Sequence, residues 1–231
     1  MEQLHNNFTL QIPSGCFPLS TDSMALAGFV KLTKNARVLD LGSGCGTLGL
    51  LLCADNAYCT VTGIELDESA HAAALTNIQN NQLTLRLSSI CNDLCSTPSL
   101  FAPGSFDCCV SNPPYFSSGP QSSSVPMARK EQTCTMDSLF ASAAWALKYG
   151  GDFFLVHRPE RLAELFSCAC NHSLEPKRLL LLKHRKEDPV SLVLVQCRKG
   201  GKPGLIWEEN HLWNEDGSPT QYYKNLYHLQ E

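Results

Sequence analysis

The chain has 231 residues, of which 43% are hydrophobic and 17% charged, the proportions of a globular α/β chain with a sizeable core. Its net charge of −4 excludes a uniformly basic nucleic-acid binder, and its longest strongly apolar stretch, residues 48–54, is far too short to span a bilayer. Residues 1–10 are polar, with no basic start and apolar run, so no signal peptide is expected and a cytoplasmic location is.

Strands followed by helical stretches alternate along the chain, the pattern of a parallel sheet. Residues 37–41 form a short apolar run ending in glycines, with the next helix starting at 48–54. Residues 60–66 are β-branched and end in an acid, and the alanine-rich 68–80 reads as a helix. A more polar third strand is expected at 83–88. Residues 106–111 run into Asn112-Pro113-Pro114-Tyr115, and an amphipathic helix over 136–148 is expected to stop at Gly150-Gly151. Residues 152–157 give a fifth strand, after which Pro159 opens a helix at its first turn. Residues 179–183 and 191–197 leave no room for a helix between them and predict a terminal antiparallel hairpin. The Ser-, Gly- and Pro-rich 117–125 reads as a flexible loop.

Twelve cysteines include no Cys-x-x-Cys pair; the close pairs are Cys108-Cys109, Cys168-x-Cys170 and Cys91-x-x-x-Cys95. Most lie in apolar runs, where a thiol acts as a small hydrophobe, so reduced core residues and no metal are expected. Charge is unevenly spread. Residues 1–128 carry 4 basic and 9 acidic side chains, whereas residues 171–202 carry 8 basic against 3 acidic. Such a local excess could meet a phosphate backbone or simply form a solvated surface.

The turn Asp40-Leu41-Gly42-Ser43-Gly44-Cys45-Gly46 lets the backbone approach a ligand at a strand's carboxyl end. Gly44 to Gly49 also satisfies the dinucleotide pattern G-x-G-x-x-G, and Glu65, 21 residues after Gly44, would hold ribose hydroxyls under either reading. Two acids tilt the choice toward S-adenosyl-L-methionine, which is cationic and lacks phosphate. Asp40 could receive the ammonium of a methionine moiety, where a pyrophosphate would be repelled. Asp93, in Asn92-Asp93, could accept from an adenine amino group. The expected cofactor pocket comprises Thr21, Asp40, Gly42, Ser43, Gly44, Gly46, Glu65, Leu66, Asn92, Asp93 and Asn112.

Asn112 lies 66 residues after Gly46. An exocyclic amine conjugated to a ring is a poor nucleophile because its lone pair is delocalised. The Asn112 amide oxygen and the Pro113 carbonyl, accepting from its hydrogens, favour the pyramidal nitrogen that attacks. Pro113 and Pro114 fix the backbone so that both acceptors converge. Tyr115 offers a ring on which a planar substrate can stack, worth about 1–3 kcal/mol for a base. These four residues are the expected catalytic set, and the motif by itself leaves adenine, guanine and glutamine open.

The chain resembles the class I methyltransferases of the bacterial adenine-N6 type that act on valine tRNA. The resemblance also rests on residues 15–27 (Gly-Cys-Phe-Pro-Leu-Ser-Thr-Asp-Ser-Met-Ala-Leu-Ala), 128–131 (Ala-Arg-Lys-Glu), 156–162 and 199–205, and covers about residues 8–230. It implies a Rossmann-like α/β fold with a seven-stranded mixed sheet and a C-terminal antiparallel hairpin. It also implies one domain over 1–231, with residues 1–35 covering the cofactor and 36–231 as catalytic core. The implied substrate is the adenine immediately 3′ of the anticodon in tRNA, with Arg129, Arg158, Lys183 and Arg185 as expected RNA contacts and a monomer without metal as the working unit. The rival amine methylations, guanine-N2 of ribosomal RNA and glutamine-N5 of a release factor, use the same logic. The latter normally carries a helical domain ahead of the first strand, where this chain has 36 residues. A non-catalytic RNA-binding protein on the same fold would tend to lose Asp40, Glu65, Asp93 and Asn112, all present here.

Overall fold

Arg37–Leu41 forms an inner strand of a mostly parallel sheet, flanked on both sides by parallel partners. The computed structural model describes residues 1–113 and 135–229. The strands are β1 (Glu2–Gln3), β2 (Thr9–Leu10), β3 (Arg37–Leu41), β4 (Thr60–Glu65), β5 (Leu87–Cys91), β6 (Phe106–Ser111), β7 (Leu147–His157), β8 (Leu174–Arg185), β9 (Val190–Lys199) and β10 (Ile206–Trp213). Between them lie α1 (Thr21–Phe29), α2 (Thr47–Asp55), α3 (Glu68–Asn80), α4 (Thr97–Leu100), α5 (Met136–Ala146), α6 (Leu162–Asn171) and α7 (Gln221–Leu226). Strands β1 and β2 pair with each other, and the other eight form one sheet in the order β10-β8-β9-β7-β6-β3-β4-β5.

All pairs from β5 through β3 to β7 are parallel, β9 is antiparallel to both β7 and β8, and β10 is parallel to β8. Hence β9 alone runs against the rest. The chain steps from β3 outward to β4 and β5, then returns to the other side of β3 with β6. That reversal creates a crevice at the carboxyl ends of β3 and β6, where open α/β sheets bind ligands.

Local chemistry explains the helix starts. Ser20, Asp67 and Thr220 each accept a backbone N–H at the first turn of α1, α3 and α7. Thr135 and Ser138 form a reciprocal capping box at α5. One face of the sheet packs on α1 and α2 through Leu26, Leu50, Val38 and Phe154, the other on α5 and α6 through Leu139, Phe140, Phe153 and Leu165. No helix among the described residues is long and apolar enough to cross a membrane.

Three expectations need correction. The third strand lies at Leu87–Cys91 rather than 83–88, because Leu83 and Arg86 close the turn after α3: Leu83 N–H bonds Ile78 O and Arg86 N–H bonds Leu83 O. The helix over 136–148 ends at Ala146; Leu147 is already extended, and Gly150-Gly151 lie within β7. Gly151 is needed there, since a Cβ would come 2.9 Å from Asp107 O. The sheet has eight strands rather than seven: β10 pairs along β8 and takes the edge that the hairpin was expected to form.

Candidate active site

The carboxyl end of β3 delivers Asp40, and the turn behind it carries Gly42, Gly44 and Gly46 at φ of 76°, 55° and 80°. Side chains rarely adopt this left-handed backbone, so glycine is the residue that permits the turn. Gly63 on β4 leaves room for Ser43, whose Oγ would lie 2.5 Å from a Cβ there. The turn bends back on β4, with Gly42 N–H and Ser43 N–H both donating to Ile64 O.

Asp40 is 1% exposed, and neither of its carboxylate oxygens has a hydrogen-bond partner among the described residues. Burial, reinforced by the nearby Glu65, pushes its carboxyl up to about 8. Ser43 Oγ is likewise buried without a hydrogen-bond partner among the described residues. A buried carboxylate and hydroxyl left unpaired are costly in a protein interior, so their chemistry calls for a cationic, hydrogen-bonding ligand. The ammonium of S-adenosyl-L-methionine fits that requirement, whereas a pyrophosphate would not.

Glu65 ends β4 and is buried; its Oε2 accepts from Gly44 N–H and its Oε1 from Asp67 N–H, each at 2.8 Å. The glycine turn and the β4 terminus are thereby held in one frame, and a carboxylate oxygen can accept from a hydroxyl as well as from an amide. Leu66 follows as an exposed apolar side chain. Asn92 N–H donates to Glu65 O, and Asn92 Oδ1 accepts from Asp93 N–H at 2.8 Å. Asp93 Oδ1 accepts from Cys95 N–H at 2.8 Å, capping the short turn after β5. Asp40, Glu65, Leu66, Asn92 and Asp93 thus all end adjacent strands at one edge.

β6 brings Asn112 and Pro113 to the same edge beside Asp40, because Asp40 is registered with Val110. Ser111 Oγ donates to Leu41 O at 2.7 Å and ties the two strand ends together. The Asn112 amide nitrogen donates to Ser23 Oγ at 3.1 Å. Its oxygen is therefore the atom left to accept from a substrate. Ser23 is buried in α1, whose first residue, Thr21, has its Oγ1 3.2 Å from Tyr227 Oη. Neither Ser23 nor Tyr227 was singled out from the sequence; Ser23 stood within the quoted 15–27 segment, but only the fold sets it against Asn112. Pro114, Tyr115, Arg129 and the 117–125 loop lie outside the described residues.

His157, at the end of β7, is buried, and its Nδ1 accepts from Arg158 N–H at 2.8 Å. Burial, aided by Arg161, lowers it to about 4, so it is neutral at physiological pH. The Arg158 guanidinium donates to Ser191 O at 3.1 Å, joining β7 to the β8–β9 hairpin. Since β8 runs parallel to β7, the hairpin tip with exposed His184, Arg185 and Lys186 lies at the same sheet edge as Asn112. The basic excess of 171–202 is partly neutralised from outside that stretch. Lys183 pairs with Glu209 at 2.9 Å and Arg178 with Glu208 at 3.3 Å, while Asp152 binds Arg198 through two contacts of 2.9 Å. The acids on β10 went unweighed in the sequence because the strand itself was missed.

Known proteins share this chain's family and fold. A family profile described as methyltransferase small domain matches residues 19–166. A tRNA1(Val) (adenine(37)-N6)-methyltransferase of Photobacterium profundum is 30% identical over 187 residues, covering 79% of this chain and 78% of the relative. An enzyme of the same name from Serratia proteamaculans is 29% identical, covering 90% and 81%. Among solved structures, a predicted O-methyltransferase from Agrobacterium tumefaciens superposes with a TM-score of 0.75 at 20% identity, covering 90% of this chain and 96% of that one. The geranyl diphosphate C-methyltransferase of Streptomyces coelicolor A3(2), in complex with S-adenosyl-L-homocysteine, gives a TM-score of 0.60 at 13% identity and covers 77% and 78%. At these identities the structural likeness concerns the fold.

Proposed function

We propose that this chain, which belongs to the methyltransferase small domain family, transfers a methyl group from S-adenosyl-L-methionine to N6 of an adenine in tRNA. The observation that carries the reading is the pairing of a buried Asp40 carboxylate, without a hydrogen-bond partner among the described residues, with an Asn112 amide whose nitrogen is tied to Ser23. The first suits a cofactor ammonium and the second leaves an oxygen for a substrate amine. The expected nucleotide is the adenine 3′ of the anticodon; the relatives are named for adenine 37 of tRNA1(Val).

Bound S-adenosyl-L-methionine supplies a methyl group activated by a sulfonium. Asp40 would hold the cofactor's ammonium, Glu65 its ribose hydroxyls, and Leu66, Asn92 and Asp93 its adenine; the turn of Gly42, Ser43, Gly44 and Gly46 would let the backbone come close, and Thr21 would line the pocket from α1. Asn112 Oδ1 and the Pro113 carbonyl accept from the two hydrogens of the target amine and localise its lone pair. Positioning of this kind can provide most of the rate, and no strong general base is required. His157, buried and neutral, needs no role in the proton balance. Pro114 and Tyr115 complete the catalytic turn in this reading, with the Tyr115 ring as the stacking surface for the base. Arg129, Arg158, Lys183 and Arg185 are the proposed RNA contacts, with Lys183 the weakest because Glu209 already pairs with it. Residues 1–35 would cover the cofactor and 36–231 form the catalytic core of one domain.

The test is incubation of the purified protein with methyl-labelled S-adenosyl-L-methionine and unmodified tRNA transcripts, followed by nucleoside mass spectrometry. Label in N6-methyladenosine at the position 3′ of the anticodon is expected. Label in guanosine, or in a release-factor glutamine and not in tRNA, would overturn the substrate assignment.

A further inference from the structure

Behind the glycine turn, one side chain of α3 reaches two other segments at once. Asn77 is 1% exposed. Its Nδ2 donates to Cys45 O at 3.0 Å and to Gln11 O at 2.9 Å, while its Oδ1 accepts from Gln11 N–H at 2.8 Å. Four residues on, Asn81 takes the same two-point grip on Thr9. Its Oδ1 accepts from Thr9 N–H at 2.7 Å and its Nδ2 donates to Thr9 O at 2.8 Å. Four helical residues rise about 6 Å and two extended residues about 6.6 Å, so α3 can hold the amino-terminal segment as a neighbouring strand would. Leu10, between the two grips, is fully buried.

We propose that Asn77 is a positioning residue that clamps the cofactor turn to the amino-terminal segment, so that cofactor binding and the ordering of residues 9–20 are coupled. The inference rests on the cofactor reading above. Three observations carry it. Asparagine is a weak helix former, yet Asn77 lies buried inside α3, where its amide meets backbone partners on two other segments. The Cys45–Gly46 peptide is held from both sides, its carbonyl by Asn77 and its N–H by Ser43 O. The gripped segment runs on into α1, which carries Thr21 and, bonded to Asn112, Ser23.

Asn81 supplies an internal comparison, because its amide bonds Thr9 and the carbonyl of Asn77 rather than the glycine turn. Replacing Asn81 loosens the segment alone, whereas replacing Asn77 releases the segment and the turn from each other. Linkage makes the coupling reciprocal: the affinity that the segment lends to the cofactor returns as protection of the segment when the cofactor binds. The loss belongs in KM and not in kcat, since the Asn77 amide acts on the walls of the cofactor pocket and not on the target amine.

The test combines calorimetry with S-adenosylhomocysteine, methyl-transfer kinetics on tRNA and hydrogen exchange read by mass spectrometry, all on the full chain. Asn77→Ala should weaken S-adenosylhomocysteine and raise the KM for S-adenosyl-L-methionine about tenfold, the worth of one or two hydrogen bonds, with kcat within about twofold of wild type. Asn81→Ala should change either by less than about threefold. In the wild type, bound S-adenosylhomocysteine should slow exchange in residues 9–20 and 42–46; in Asn77→Ala it should slow exchange in 42–46 alone. Gln11→Pro, at an exposed position, removes only the N–H that Asn77 accepts, and should shift affinity in the same direction even if Asn77→Ala fails to fold. Unchanged affinity in Asn77→Ala or in Gln11→Pro would overturn the clamp, as would equal losses in Asn77→Ala and Asn81→Ala. A wild type that binds no S-adenosylhomocysteine would overturn the cofactor reading, and the clamp with it.

Discussion

The Asn112 side-chain nitrogen donates to Ser23 Oγ at 3.1 Å across 89 residues of chain. An amide held by its nitrogen presents its oxygen in one direction, and that oxygen is the proposed acceptor for the substrate amine. Ser23→Ala should lower kcat about three- to tenfold, the worth of one hydrogen bond of roughly 1 kcal/mol. Cofactor affinity should hold, and Ser23→Thr should restore most of the rate. Equal loss of kcat in the alanine and threonine variants would point to packing of α1 instead.

Removing the acceptor itself should be more severe. Asn112→Ala should reduce turnover about a hundredfold or more, by analogy with the loss of one preorganised polar group from a transition-state site. Calorimetry with S-adenosylhomocysteine should show nearly unchanged affinity. A variant with normal single-turnover rates would assign the amine to other groups.

Asp40 makes a pH-dependent prediction with opposite signs for stability and binding. Its carboxyl is raised from near 3.8 to about 8 by burial. A group raised in the folded state contributes stability that is full below its unfolded value and is lost as pH climbs through the folded one. The ligand-free protein should therefore weaken between pH 4 and 8, and Asp40→Asn should melt several degrees higher than wild type at pH 8.5. A cofactor ammonium needs the ionised carboxylate, so binding at pH 7 should release close to one proton. Calorimetry in buffers of different ionisation enthalpy measures this, and Asp40→Asn should bind weakly with no release. Proton uptake at pH 7 would contradict the ion pair.

Arg185 and Lys186 are exposed at the catalytic edge, whereas Lys183 is engaged with Glu209. Arg185→Ala with Lys186→Ala should weaken tRNA binding and flatten its salt dependence by about two contacts, at roughly 0.9 per phosphate on a duplex stem. Lys183→Ala alone should change the slope little. An unaltered slope in the double variant would move the RNA to the segment around Arg129.

Much of the site was legible in the residue order because its parts are turns at strand ends. Asp40 with its glycines, Glu65 closing a β-branched run, and Asn112 with Pro113 each carry a local backbone requirement that shows in the sequence. The parallel sheet was legible for the same reason, since alternating strands and helices leave few topologies. Other features depended on contacts that no local pattern encodes. Residues 206–213, half of them polar, gave no clean alternation, so β10 emerged only by pairing along β8, and with it the acids that neutralise Arg178 and Lys183. Strand direction placed Arg185 at the catalytic edge, and the packing of α1 placed Ser23 on Asn112.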